Sequence, residues 1–184
     1  MGFAAIGLAV VVPLTGCGGG SSSSSGSGGK TPATTYVHTL CSAISGFEQI
    51  EQNGESTLSK LSSAKNPNLP ELKAQVTHFF SQEAKASMAA QAQIERAGVP
   101  DVSQGETVRT GLIDAFQKFS VALNSAVKQS KTIGTGSEKE FAAAVQKLES
   151  QLQTGASGVT SSISGLPASL KAAGSEDSAC ASIS

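Results

Sequence analysis

The chain has 184 residues, room for one domain with tails, and sets 13 Lys and Arg against 14 Asp and Glu, with 15% charged residues overall. That balance provides no basic field for a phosphate backbone, which argues against nucleic acid as a partner. Aromatic residues are only 4% of the chain with no Trp, which leaves little for sugar-stacking platforms or large aromatic ligand pockets, and two His and three Cys leave little for metal chemistry.

Residues 3–14 form an uncharged apolar run, too short for the roughly 20-residue helix that spans a bilayer and of the length of a secretory hydrophobic region. Leu14-Thr15-Gly16-Cys17 closes this run, and Gly18-Gly19-Gly20 and a serine tract follow. The quartet resembles a bacterial lipobox, in which small residues precede a Cys that is diacylated on sulfur and becomes the first residue after cleavage. The resemblance implies a signal peptide over 1–16, lipidation of Cys17 and attachment to the extracytoplasmic face of the cell membrane through a diacylglyceryl group. Met1-Gly2 brings no Lys or Arg, whereas a signal ordinarily opens with positive charge; a start upstream would supply it. From Gly18 to Thr35 the composition cannot bury enough apolar area to offset its ordering entropy, so residues 17–35 are expected to be the lipidated Cys and a flexible tether reaching roughly 20–25 Å.

The folded domain is expected over 36–184, with helical spacing recurring four times and no alternating strand signal. The first segment carries Val37, Leu40, Ile44, Phe47, Leu58 and Leu61 with a polar Glu51 on the same stripe, and Asn53-Gly54 is a candidate break. Leu72, Val76, Phe79, Glu83, Ala86, Ala90, Ile94 and Ala97 make the second segment, opened by Asn68 with Glu71 and closed by Gly98 and Pro100. Ser103 and Glu106 form a capping-box pattern before the third, through Leu112, Phe116, Phe119 and Leu123 to Gly134 and Gly136. A second capping box, Ser137 with Glu140, opens a fourth that keeps its rhythm from Phe141 to Leu170, weakened by Gly155, Gly158, Gly165 and Pro167.

Four amphipathic stripes on short connections bury their apolar faces most economically as an all-α, up-down-up-down four-helix bundle. With Cys17 lipidated, Cys41 and Cys180 remain, and outside the membrane two such thiols ordinarily pair. The bundle brings the first turns of helix one and the segment after helix four to one pole, where Gly174 to Asp177 would end helix four and give Cys180 slack. Two free buried thiols are the alternative.

Chemistry is sparse. His38 and Cys41 are three apart on one helical face, a soft-metal pairing that oxidation of Cys41 would cancel, so neither a metal nor another cofactor is expected. His78 beside Phe79 and Phe80 reads as a boundary residue, and a literal Ser-x-x-Lys at Ser62 and Lys65 lacks the partner motifs of a nucleophile. No catalytic residue is assigned and the chain is not expected to be an enzyme. Phe79, Phe80, Phe116 and Phe119 read first as core, and otherwise as the lining of an apolar groove between helices two and three.

The lipobox, the Gly/Ser tether, Cys41 early in helix one, Val99-Pro100-Asp101-Val102 before helix three and Cys180 near the end together look like small uncharacterised lipoproteins and secreted helical proteins of actinobacteria. The resemblance implies a location and a helical fold without a reaction. The functional expectation is a binding or scaffold module at the cell envelope, its partner an envelope protein, or alternatively a carrier of a small apolar ligand between its helices.

Overall fold

The computed structural model describes residues 30–63 and 67–181. The lipobox, including Cys17, the first part of the tether and Lys65 lie outside the described residues, as do the side chains of Leu58 and Leu61.

The described chain is an all-α bundle. Four long helices, α1 (Ala33–Ser62), α2 (Leu69–Ala97), α3 (Gly105–Ser130) and α4 (Glu138–Ser164), are followed by short α5 (Ala168–Ser175) and α6 (Ser178–Ala181). One core runs through them, with Leu40, Ile44 and Phe47 of α1, Val76 and Ile94 of α2, Leu112, Phe116 and Leu123 of α3, and Phe141, Leu148 and Leu152 of α4 all buried. These residues sit at the three- and four-residue intervals that place side chains on one helical face. Helix α1 packs along α2, α2 along α3 and α3 along α4, whereas α1 is flanked near its start by α5 and α6.

Side-chain contacts give the direction of the first three helices. Late α1 meets early α2, where the Phe79 ring lies against Gly54. Early α2 meets late α3, where Ser130 Oγ donates to Thr77 Oγ1 at 2.9 Å. Midway along, Ser120 Oγ donates to Ser87 Oγ at 2.8 Å and Ser87 Oγ donates to the Phe116 carbonyl at 3.0 Å. Small hydroxyl residues at this crossing let the two helices approach closely while every hydroxyl finds a partner.

Three local features depart from the sequence reading, and two points it left open, a break of the first helix at Gly54 and of the fourth at Pro167, are decided by the structure. The domain begins before Tyr36: the Thr31 amide donates to the Val99 carbonyl and the Asp101 amide to the Thr31 carbonyl, both at 2.7 Å, and Thr31 Oγ1 donates to the Ala97 carbonyl. Residues 31–35 are therefore joined to the bundle, because the loop after α2 offers backbone groups that composition alone does not reveal. Helix α1 runs unbroken through Asn53-Gly54, since the missing Cβ of Gly54 is the space that the Phe79 ring fills. The Ser103 capping box does not form. The clasp on Thr31 fixes the loop, the chain turns at Gln104 with φ 60°, and α3 starts at Gly105, where a Cβ would strike the Pro100 carbonyl.

At the other end, the rhythm from Phe141 to Leu170 is not one helix. Helix α4 stops at Ser164 because Pro167 cannot continue it, and Leu170 belongs to α5. Gly174 and Ser175 accordingly close α5 and not α4, and Glu176 and Asp177 lead into α6, where Asp177 Oδ1 accepts from the Ala179 amide at 2.8 Å. Two expected caps are present: Asn68 accepts from the Glu71 amide, and Ser137 accepts from the Glu140 amide.

Candidate functional site

Cys41 and Cys180 form a disulfide, their Cα atoms 5.0 Å apart across 139 positions of sequence. It binds α1 to α6 at the pole where the Thr31 clasp also sits. His38, one turn before Cys41, shares Nδ1 with both carboxylate oxygens of Asp177 at 3.0 and 3.1 Å. The His38 and Cys41 pairing thus serves a structural pole, as an oxidised sulfur is no thiolate ligand. Among the described residues no group of three or more His, Cys, Asp or Glu is arranged to hold a metal ion.

The four Phe residues do not share a groove. Phe116 and Phe119 pack on Phe47 of α1, with centroid separations of 6.0 and 6.1 Å. Phe80 is buried, and Phe79, 5.6 Å from it, turns toward α1. The α2–α3 crossing is occupied by the Ser87 and Ser120 hydroxyls. What lies beside the Phe116 and Phe119 pair is instead a narrow seam between α1 and α4, walled by Ile44, Phe47, Val159 and Ile163 with Glu48 and Glu51 at its side. Its volume of about 20 Å³ holds little more than one water.

A larger cleft of about 410 Å³ opens between α1 and α2. Ile50, Asn53, Gly54 and Thr57 line it from α1, and Gln75, His78, Phe79 and Gln82 from α2. The two sets have the same i, i+3, i+4, i+7 spacing, so each helix contributes a stripe two turns long. His78 Nε2 and Gln82 Nε2 are 3.2 Å apart, an amide-to-imidazole hydrogen bond along the α2 wall. The sequence reading noted His78 and Phe79 but missed the amides. Their signal was a second, polar stripe at helical spacing beside the apolar one, visible once the facing helix is known.

Two buried polar groups lie apart from this cleft. Glu83 of α2 is only 6% exposed, and its carboxyl is pushed up to about 8, first by burial and then by the negative charge of Glu51. Tyr36 is buried beside the start of α3, where burial raises its phenol to about 12 against the opposing pull of Arg109. Neither the Tyr36 hydroxyl nor Arg109 Nε has a hydrogen-bond partner among the described residues.

No protein-family model matches the chain, and no curated protein or solved structure matches it significantly. Among the described residues no helix is long and apolar enough to cross a membrane.

Proposed function

We propose that the chain is a binding module anchored through Cys17 on the extracytoplasmic face of the cell membrane, with the α1–α2 cleft as its binding surface. The cleft carries the reading: its volume falls in the range of small-molecule sites, and its walls converge hydrogen-bonding heads on an aromatic floor. The lipobox pattern and a disulfide of the kind that persists in oxidising compartments support the location. The clasp at Thr31 has the chain enter at one pole, and the cleft begins roughly 25 Å further along α1, at 1.5 Å per residue from Ala33 to Ile50. A ligand in the cleft would thus be met away from the anchored end.

Carriage of a small apolar ligand would require the α1–α4 seam to open far beyond its present about 20 Å³, so the structure lends that alternative less support. Amides and hydroxyls lining the larger cleft favour binding over reaction. Metabolic palmitate labelling tests the anchor: the native chain should label and fractionate with membranes, and Cys17→Ser should do neither. A labelled variant, or an unlabelled native chain, refutes anchorage. Photocrosslinking in cells from position 75, with position 121 on the exposed face of α3 as control, tests the surface; equal capture from both positions refutes it.

A further inference from the structure

We infer that the α1–α2 cleft takes a neutral, hydroxyl-rich ligand, a saccharide unit, held by amide side chains over the Phe79 ring. This rests on the reading of the cleft as the binding surface and assigns its ligand class.

The argument begins from what the walls lack. Among the described residues, the eight that line the cleft include no Lys, Arg, Asp or Glu. A charged ligand entering the cleft would lose hydration without gaining an opposite charge, a penalty far larger than a hydrogen bond returns. An apolar ligand fails for the converse reason, because it would strip water from the amide heads of Asn53, Gln75 and Gln82 and leave polar atoms there unmatched. Sugar hydroxyls both donate and accept. A primary amide does the same from one planar head, so neighbouring hydroxyls can be met by one carbonyl oxygen and one NH₂.

The floor completes the match. Phe79 is half-buried, and its ring occupies the place that a side chain at position 54 would take, which seats it between the two helices. The chain's scarcity of aromatics excludes a broad stacking platform but not a single ring: the Phe79 surface offers the C–H face of one pyranose an apolar partner, while Ile50 extends the same floor. The His78–Gln82 hydrogen bond restrains two of the heads before any ligand arrives, which reduces the entropy lost on binding. About 410 Å³ accommodates one or two sugar rings, lying at the small end of ligand sites. An extended peptide would find no sheet edge here, and among the described lining residues an amphipathic helix would find only Ile50 and Phe79 as apolar contacts.

The test uses the full chain, purified from its host and applied to an array of neutral oligosaccharides, uronate- and sulfate-bearing oligosaccharides and an extended polyalanine peptide. Neutral glycans should be retained and the charged ones and the peptide should not. Gln75→Ala and Gln82→Ala should each weaken retention by about tenfold, the loss of one good hydrogen bond, whereas Lys118→Ala on α3 should leave it unchanged. Unaltered circular dichroism melting in the glutamine variants separates loss of contact from loss of fold. Absence of neutral-glycan binding at millimolar concentration, equal retention of charged glycans or peptide, or indifference to both glutamine variants overturns the inference. Selective crosslinking from position 75 combined with no glycan binding rejects the ligand class alone, and crosslinking without selectivity rejects the binding surface with it.

Discussion

Replacing Glu83 by Gln should stabilise the bundle at neutral and alkaline pH and have little effect in acid. The carboxyl lies in the core, where burial foremost and the Glu51 charge next favour its protonated form, lifting it from 4.5 to about 8. Folding is therefore not penalised by this group below pH 4.5, where it is protonated in both states. As pH rises the unfolded chain ionises first, and each pH unit up to about 8 removes about 1.4 kcal/mol of stability. The loss reaches about 3 kcal/mol at pH 7 and about 5 kcal/mol at the top of the window, beyond which it stays constant. Gln keeps the shape of the protonated acid without the proton to lose. Urea melts of the native chain and Glu83→Gln at pH 4, 6, 7 and 8.5 give the difference directly. It should be near zero at the first and widen through the others. A difference that is flat with pH, or that favours the native chain at pH 8.5, would refute the assignment of a protonated core carboxyl.

Reduction of the Cys41–Cys180 bridge should lower stability by about 4–5 kcal/mol on the chain-entropy model, given the 139-residue separation, and leave most helical ellipticity in place. Thermal melts with and without reductant check it, and an unchanged midpoint would contradict a structural role. Gly54→Ala should destabilise despite the helix propensity of Ala, because its Cβ meets the Phe79 ring, whereas Gly111→Ala, with open space around it, should gain up to about 1 kcal/mol. Denaturant midpoints of the two variants should move in opposite directions. Ser87→Ala should cost about 1–3 kcal/mol by leaving Ser120 without its acceptor, and the Ser87→Ala, Ser120→Ala double variant should recover part of that loss, which a double-mutant cycle measures.

The four long helices were legible because their apolar positions repeat at helical spacing and three termini carry strong local chemistry: Asn68, Gly98 and Ser137. The bridge was legible for a related reason, since two cysteines near the ends of such segments have few other places to meet. Where reading by pattern failed or left a choice open, a long-range contact had changed the local rule. Asn53-Gly54 is a helix breaker by propensity, but the Phe79 ring uses the missing side chain, and no window of sequence around position 54 contains that ring. The Ser103 cap loses to a loop geometry imposed by Thr31, more than seventy positions away. The cleft was hidden in the same manner. Its amides are ordinary surface residues on each helix taken singly, and become a site only when α1 and α2 face each other in register. Glu51 and Glu83 stood out on their stripes as polar interruptions, yet their mutual influence needed both helices.

The clasp at Thr31 also determines how the molecule would bear tension. A pull arriving from the N-terminal side meets two short backbone hydrogen bonds and the Thr31 hydroxyl contact before it reaches the first turn of α1. If these yield, the segment between Thr31 and Cys41 would peel away first, because at Cys41 the load passes onto a covalent link and divides between α1 and α6. Under such a pull the clasp would be the part to give way first, and the bridge the point at which its loss is checked.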